Sequence, residues 1–446
     1  MNILEQIVAK RRRTFKLYDF PKRTLPIVPF FSTKPFIIAE FKKASPTNKK
    51  ISSRPHADLA RDYYKAGVRN FSVLTEQNYF QGSLQDLYEL KKQYPQCAFL
   101  RKDFLFCRED LAQAYLAGAD AVLLIAEILS DKLLCELIRE AHRLELQVLG
   151  EVYSLESLQR IITLPEQPDA IGINSRDLKT FKLRPDQPLR LRPYIPKNIP
   201  AVYESGVKDT YLMRLIGNAG FNAVLIGETA VGRPQLLRDF QKAFLHGVKQ
   251  KANFFTKLYA RQKKVFVKIC GLTNKADVAL AAKSGADVAG FVLLPESPRC
   301  VTAKLLRDVK DIKILKVAVV KNITLKVKLL LKSGLIDAVQ TYAGDIYSLH
   351  GNAYRVTTDF QTRELPVTLY DAPKTKDMKK GKQITAKAYP LIYGQWLAGG
   401  LDPQNVRKLL KQIEPGLIDV SSGVESSVEK KDKQKLKEFL QEVRRA

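Results

Sequence analysis

Charged and small polar side chains follow the short apolar runs of this chain again and again. FIIAEFK ends in Glu40 and Lys42, AFLRK in Lys102, QVLGE in Glu151, and AIGINSR in Asn174 and Arg176. AVYESG then brings Glu204, Ser205 and Gly206, and AVLIGET brings Gly227, Glu228 and Thr229. A lysine and glutamates sharing a dry pocket can serve as acid and base, because burial and neighbouring charge move their pKa values towards neutrality. Small residues at 205–206 and at 227–229 let backbone N–H groups approach phosphate oxygens, and Lys42 adds a positive charge. There is no His-Glu-Cys metal spacing, no Walker A loop and no dinucleotide glycine motif at a strand–helix turn, so neither metal nor cofactor is expected. The residues alone point to cofactor-free acid–base chemistry on a small phosphorylated substrate.

Something must bring these positions together. Candidate strands fall at 36–40, 71–75, 98–102, 121–125, 147–151, 170–174, 201–205 and 223–227. The segments between them read mostly as helices: LQDLYELKKQY and SDKLLCELIREAHRL carry apolar residues at three- and four-residue steps. Eight βα units in a row favour a closed parallel barrel, whose strand C-terminal ends all open on one mouth. One polar residue after a strand is ordinary loop composition, but charges after at least five of eight strands converge on that mouth. A second series of candidate strands lies at 265–269, 288–292, 314–320, 337–340, 354–358, 366–370, 395–399 and 417–421, its fourth and fifth members the least apolar. The fold class expected is α/β, two fused (β/α)8 TIM barrels, at 1–248 and 265–446, joined by a basic, glycine-poor linker at 249–264. The 446 residues suit two such domains at roughly 200–250 residues each.

Composition bounds the setting. Five cysteines, without CxxC or other paired spacing, argue for a reducing compartment rather than a disulfide framework. The N-terminal MNILEQIVAKRRR has charge where a signal peptide needs an apolar core, and runs such as AVLLIA at 121–126 are too short to span a bilayer. A cytoplasmic protein without membrane association is expected. The net charge of +28 is scattered through short clusters at 10–13, 42–43, 49–50, 263–264 and 379–382, with no RNA-binding aromatic signature, zinc finger or long basic helix. That favours a solvated basic surface, which attracts anionic substrates, over a nucleic-acid site.

With the motifs taken whole, the first half resembles indole-3-glycerol-phosphate synthase. IIAEFKKASPTNK, SVLTEQNYFQGSLQDL, LRKDF, GADAVLLI, GEV, IGINSRDLKTF and ESGV occur in that family's order over roughly 1–245, and ILEQIVAKRRR resembles the helix preceding its barrel. The resemblance implies closure of the indole ring of carboxyphenylamino-deoxyribulose phosphate with loss of carbon dioxide and water. It implies Lys102 as the general acid of ring closure and Glu151 as the acid–base group of dehydration, with Glu40 and Asn174 orienting the intermediate. Lys42, Ser205, Gly206 and Gly227 would hold phosphate, and Glu204 would contact substrate. Arg176, Ser45 and Pro46 would shape the pocket, with Phe80 and Phe104 as apolar walls that favour loss of the carboxylate charge. Ser175 stands where the family commonly has a second Asn, and Tyr203 where a Ser is usual.

The second half, roughly 265–446, resembles phosphoribosylanthranilate isomerase through VKICGLTN, SGADVAGFVLLPESPRCVT, LAGGLDPQNV and DVSSGVESSVEKKD. That family carries out an Amadori rearrangement, which needs an acid to open the ribose ring and a base to take the C2 proton. Cys270 resembles the base and Asp371 the acid, although a cysteine after a strand is usually inert core and an Asp before Ala-Pro an ordinary turn residue. Arg299 and Gln340 would contact substrate, and Gly399, Gly400, Ser421, Ser422 and Gly423 would cradle phosphate. Tyr342 stands where His is common, and a glycine-rich loop expected after Asp371 is replaced by lysines at 374–382 around Gly381.

Together the resemblances imply two consecutive steps of tryptophan biosynthesis, the second half making what the first consumes, most simply in a monomer. An alternative keeps only the synthase active, with a decayed isomerase barrel serving as a basic RNA- or surface-binding scaffold. That alternative predicts lost acid–base residues, which the first half does not show. A barrel pair of histidine biosynthesis is disfavoured, since it needs paired aspartates where Glu40 and Glu151 stand.

Overall fold

Strands that are covered by helices outside and by packed side chains inside must be apolar on both faces, and the runs of this chain are. In the computed structural model, which describes residues 2–358, 367–372 and 395–446, AVLLI and AIGIN are buried at every position. Strands β1 (Phe36–Phe41), β2 (Asn70–Leu74), β3 (Ala98–Lys102), β4 (Ala121–Ile125), β5 (Gln147–Val152), β6 (Ala170–Asn174), β7 (Ala201–Glu204) and β8 (Ala223–Ile226) follow one another around a closed barrel. All pair in parallel, and β1 closes the ring on β8 through Phe36 opposite Ala223. A second closed barrel holds β9 (Phe266–Ile269), β10 (Val288–Val292), β11 (Leu315–Val320), β12 (Ala338–Thr341), β13 (Ala353–Thr357), β14 (Thr368–Asp371), β15 (Trp396–Ala398) and β16 (Leu417–Val420). The chain divides into two units after Lys251. Among the described residues no helix is long and apolar enough to cross a membrane.

The helices obey the same local rules. Leu84–Gln93 and Asp131–Arg143 form where the periodicity places them. The second starts on Ser130, which accepts from Leu133 N, and buries Leu134, Cys135, Leu137, Ile138 and Ala141 as one stripe. The N-terminal helix Ile3–Arg13 opens with a capping box between Asn2 and Glu5. Its Arg11 reaches the end of β3, 3.2 Å from Asp103 and 2.6 Å from Asp110, and Arg101 completes this buried ionic cluster at 3.0 Å from Asp103. Arg101 and Asp103 flank Lys102 and point away from the mouth, so the cluster fixes the strand end that carries the lysine.

The two least apolar runs of the second series, β12 and β13, hold because their polar side chains satisfy one another: Tyr354 donates to Gln340 at 3.0 Å inside the barrel. The stretch 249–264, expected as a linker, also carries a short helix, Phe254–Tyr259, capped by Asn253. Phe254 and Phe255 lie 6.1 and 5.9 Å from Trp396, itself 4.8 Å from Tyr354, between ring centroids. This aromatic cluster closes the strand N-terminal ends of the second barrel. Phe254 is fully buried, so Phe254→Ala should destabilise the second unit by about 3–5 kcal/mol. Trp396 is the sole tryptophan, and the midpoint of its fluorescence change in denaturant measures the loss.

Candidate active sites

In the first barrel one ammonium organises the mouth. Lys102, the last residue of β3, lies 2.8 Å from Glu151 of β5 and 3.0 Å from Glu204 of β7. Asn174 of β6 stands between those two strands and donates to the other Glu151 oxygen at 3.1 Å. Gly172 of β6 leaves the room for this, since a Cβ there would overlap Glu204 Oε1. Glu40 of β1 pairs with Lys42 at 2.8 Å, and both approach Gly227, where a Cβ would come within 2.6 Å of the Glu40 carboxylate. Glu40, Glu151 and Glu204 are all almost fully buried.

Burial opposes the charge on Lys102, yet Glu151 and Glu204 outweigh it and hold the ammonium above the ordinary lysine value. The two carboxylates divide: burial works against ionising Glu151 but Lys102 and Asn174 hold it low, while burial beside the charged Glu151 pushes Glu204 up to about 8. Burial and neighbouring charge thus drive the two carboxyl groups in opposite directions, Glu151 towards the carboxylate and Glu204 towards the acid, so the site offers both a donor and an acceptor of protons.

Glu40, Lys42, Lys102, Glu151 and Asn174, but not Glu204, line a cleft of about 570 Å3 together with Ser45, Phe80, Phe104, Arg176 and Ser205. Phe80 and Phe104 face each other across 6.2 Å as one apolar wall. A second recess of about 440 Å3 shares Glu40, Lys42, Arg176 and Ser205 and is completed by Gly206, Gly227 and Thr229. Ser205 and Gly206 both have positive φ, 70° and 75°, a turn that exposes successive backbone N–H groups. Arg176 is anchored through its backbone N–H to Asn174 at 2.9 Å and reaches Glu228 at 3.5 Å. Pro46 is not among the residues lining either recess; it sits in a tight turn closed by Ser45 and Asn48.

In the second barrel Cys270 directly follows β9 and Asp371 ends β14. Register places Asp371, Ala398, Asp419 and Lys268 in one row around the barrel. Cys270 lies next to Arg299 and Ser421 at Gly271: Ser421 Oγ donates to Cys270 O at 3.1 Å, and a Cβ on Gly271 would meet Arg299 Cδ at 2.5 Å. Arg299 is already forked onto Glu425 at 2.8 and 2.6 Å, and Lys431 holds the same carboxylate at 2.8 Å. Gly399 and Gly400 turn at φ of 101° and 59°, Gly399 against the backbone of Ala372 beside Asp371. Ser421, Ser422 and Gly423 make the turn leaving β16. Gln340 is committed to Tyr354 in the interior. The lysines at 374–382 and Gly381 lie outside the described residues.

Residues 4–243 match the family model described as indole-3-glycerol phosphate synthase. The chain belongs to that family. Residues 377–442 match the model for N-(5'phosphoribosyl)anthranilate (PRA) isomerase. The indole-3-glycerol phosphate synthase of Pelodictyon phaeoclathratiforme is 40% identical over 203 residues, 45% of this chain and 78% of that one. A multifunctional tryptophan biosynthesis protein of Phycomyces blakesleeanus is 27% identical over 492 residues. That match covers 92% of this chain and 63% of the relative, so the chain spans less than two thirds of the relative's length. Among solved structures, TrpF from Jonesia denitrificans is 30% identical, over 40% of this chain and 97% of that one, with a TM-score of 0.35. One chain thus carries a synthase-family barrel followed by a stretch, 377–442, that matches the isomerase model.

In the synthase-family barrel, sequence reasoning treated Glu204 as a substrate contact and missed that it is the second carboxyl group on Lys102. It also missed the cluster of Arg11, Arg101, Asp103 and Asp110, and in the second barrel the Glu425–Lys431 clamp on Arg299. The LRKDF motif held a signal for the first cluster, since residues flanking Lys102 in a strand must face the helix layer. If Glu204 is the protonated member, a carboxylic C=O stretch should fade from the infrared spectrum as pH rises through about 8 and be absent in Glu204→Gln. Because its folded value lies above the unfolded carboxylate value of about 4.3, Glu204 should lose stability for the barrel as pH rises between about 4.3 and about 8. Denaturation midpoints across that range should show the slope, reduced in Glu204→Gln.

Proposed function

We propose that this chain catalyses two consecutive steps of tryptophan biosynthesis. The second barrel converts N-(5-phosphoribosyl)anthranilate to 1-(2-carboxyphenylamino)-1-deoxyribulose 5-phosphate. The first cyclises that product to indole-3-glycerol phosphate with loss of carbon dioxide and water. The observation that carries this reading is Lys102 between Glu151 and Glu204 at the floor of a cleft with an aromatic wall and a small-residue recess.

In the first barrel Lys102 protonates the substrate carbonyl as the ring closes, and Glu151 handles the proton of dehydration. Glu40 and Asn174 orient the intermediate. Lys42, Ser205, Gly206 and Gly227 take the phosphate, where a backbone turn and one ammonium meet. Phe80 and Phe104 keep water from the carboxylated ring, with Ser45 and Arg176 shaping its surroundings, so the carboxylate gains little from staying charged. In the second barrel Asp371 opens the ribose ring and Cys270 takes the C2 proton. Arg299 contacts the substrate, and Gly399, Gly400, Ser421, Ser422 and Gly423 hold its phosphate.

The functional division is a synthase domain at 1–248 and an isomerase domain at 265–446. Both substrates are small and phosphorylated, so a monomer suffices. Five free thiols suit a reducing cytoplasm.

Purified protein assayed for each reaction separately tests the proposal. Lys102→Ala should cut synthase kcat by about 10²–10⁴-fold and leave isomerase turnover intact, and Cys270→Ala should do the reverse. Mixing the two variants should then restore the two-step conversion. A synthase indifferent to Lys102→Ala, or an isomerase indifferent to Cys270→Ala, sinks the corresponding assignment.

A further inference from the structure

Inside the second barrel lies an ion pair that the proton-transfer roles above do not use. Lys268 lies on β9 and Cys270, two residues on, directly follows it, so both side chains enter the barrel, the lysine one layer below the thiol. Lys268 is fully buried, and Asp419, its register partner on β16, takes its ammonium at 2.5 Å. Among the described residues Asp419 Oδ1 is buried with no hydrogen-bond partner, and the carboxylate bonds the one ammonium of Lys268. Gly290 of β10 leaves a notch in which a Cβ would meet Cys270 Sγ at 2.8 Å and Lys268 Cε at 2.9 Å. The bare glycine is what lets the thiol and the end of the lysine lie side by side. A buried ion pair contributes less to stability than apolar residues of the same volume, so its place beneath Cys270 calls for another role.

We propose that Lys268, held by Asp419, is the positioning residue that supplies the counter-charge of a Cys270 thiolate. The inference rests on the reading of Cys270 as the isomerase base. The thiolate lone pair takes the C2 proton, an S–H bond forms, and the C2–H electron pair moves towards the cationic imine left by ring opening. Lys268 keeps its three protons throughout. Burial pushes the Cys270 thiol up, Lys268 pulls it down and Asp419 pushes it up again. Among the described residues, the charged and titratable groups that interact with the thiol are Lys268, Asp419, Tyr354, Lys431, Arg299 and Tyr342. Lys268 is the cation that shares its notch.

The two partners therefore have opposite signs of effect, which a merely structural pair would not show. In the full chain, the pH dependence of Cys270 alkylation by iodoacetamide, read on its own peptide by mass spectrometry, reports the thiolate directly. Lys268→Met should raise the midpoint by at least about one unit, which is about tenfold slower labelling at neutral pH. Asp419→Asn should lower it, and Lys268→Arg should restore most of the original value. Midpoints that stay put, or that move the same way in Lys268→Met and Asp419→Asn, overturn the proposal. If Lys268→Met does not fold by circular dichroism, Asp419→Asn decides alone: a lower midpoint supports it, and an unchanged or higher one overturns it. Should the titration behave as described while Cys270→Ala still isomerises, the base assignment fails and the charge pairing stands.

Discussion

An ammonium taken out of water must be neutralised where it stands, and each barrel of this chain is built around one. Leaving such a charge unpaired costs several kcal/mol, so its partners must already be in place when the strands close. Lys102 finds two carboxylates and Lys268 finds one, in every case from a strand distant in sequence. Only a closed parallel ring brings those strands level. A slip of one residue in β3 would turn Lys102 outward and Arg101 inward, breaking both the trio at the mouth and the outer cluster with Arg11, Asp103 and Asp110. Fold and chemistry are thus one constraint: the register that satisfies the charges also aims them at the substrate.

That constraint explains what the sequence discloses and what it withholds. The sixteen barrel strands were legible, because a strand buried on both faces must be a short apolar run and a polar residue after it must sit at the mouth, whereas the small hairpin of Glu425–Ser427 and Lys430–Lys431 was not. Lys102, Glu151, Asn174 and Glu40 were legible for the same reason. Their partners were not. Nothing local to Glu204 says that it shares an ammonium with Glu151, and nothing local to Gly172 says that it makes room for that carboxylate. Lys268 could be seen to face inward with Cys270, but Asp419 lies 151 positions away and becomes its partner only through the β9–β16 register. The helix Phe254–Tyr259 was hidden by brevity: six residues of FFTKLY are helical because Trp396 and Tyr354 give their rings a place to pack.

The two mouths differ in how finished they are before substrate arrives. The first is a set of preorganised charges around open space, with Glu151 driven towards its charged form by Lys102 and Asn174 and Glu204 towards its neutral form by burial. In the second, Arg299 is held on one edge by Glu425, which Lys431 also grips. The Arg299 guanidinium therefore has its orientation fixed by the protein alone. Joining both barrels in one chain guarantees equal amounts of the two sites.

The most direct measurement supplies the unaltered chain with N-(5-phosphoribosyl)anthranilate alone and follows anthranilate fluorescence and indole absorbance in one sample. Two working sites predict loss of the fluorescence first and a delayed rise of the indole band, with no other enzyme added. Fluorescence that persists, while the deoxyribulose phosphate supplied directly is still converted to indole-3-glycerol phosphate, would contradict a working second barrel. Failure of both substrates with folded protein would contradict the assignment of chemistry to either mouth.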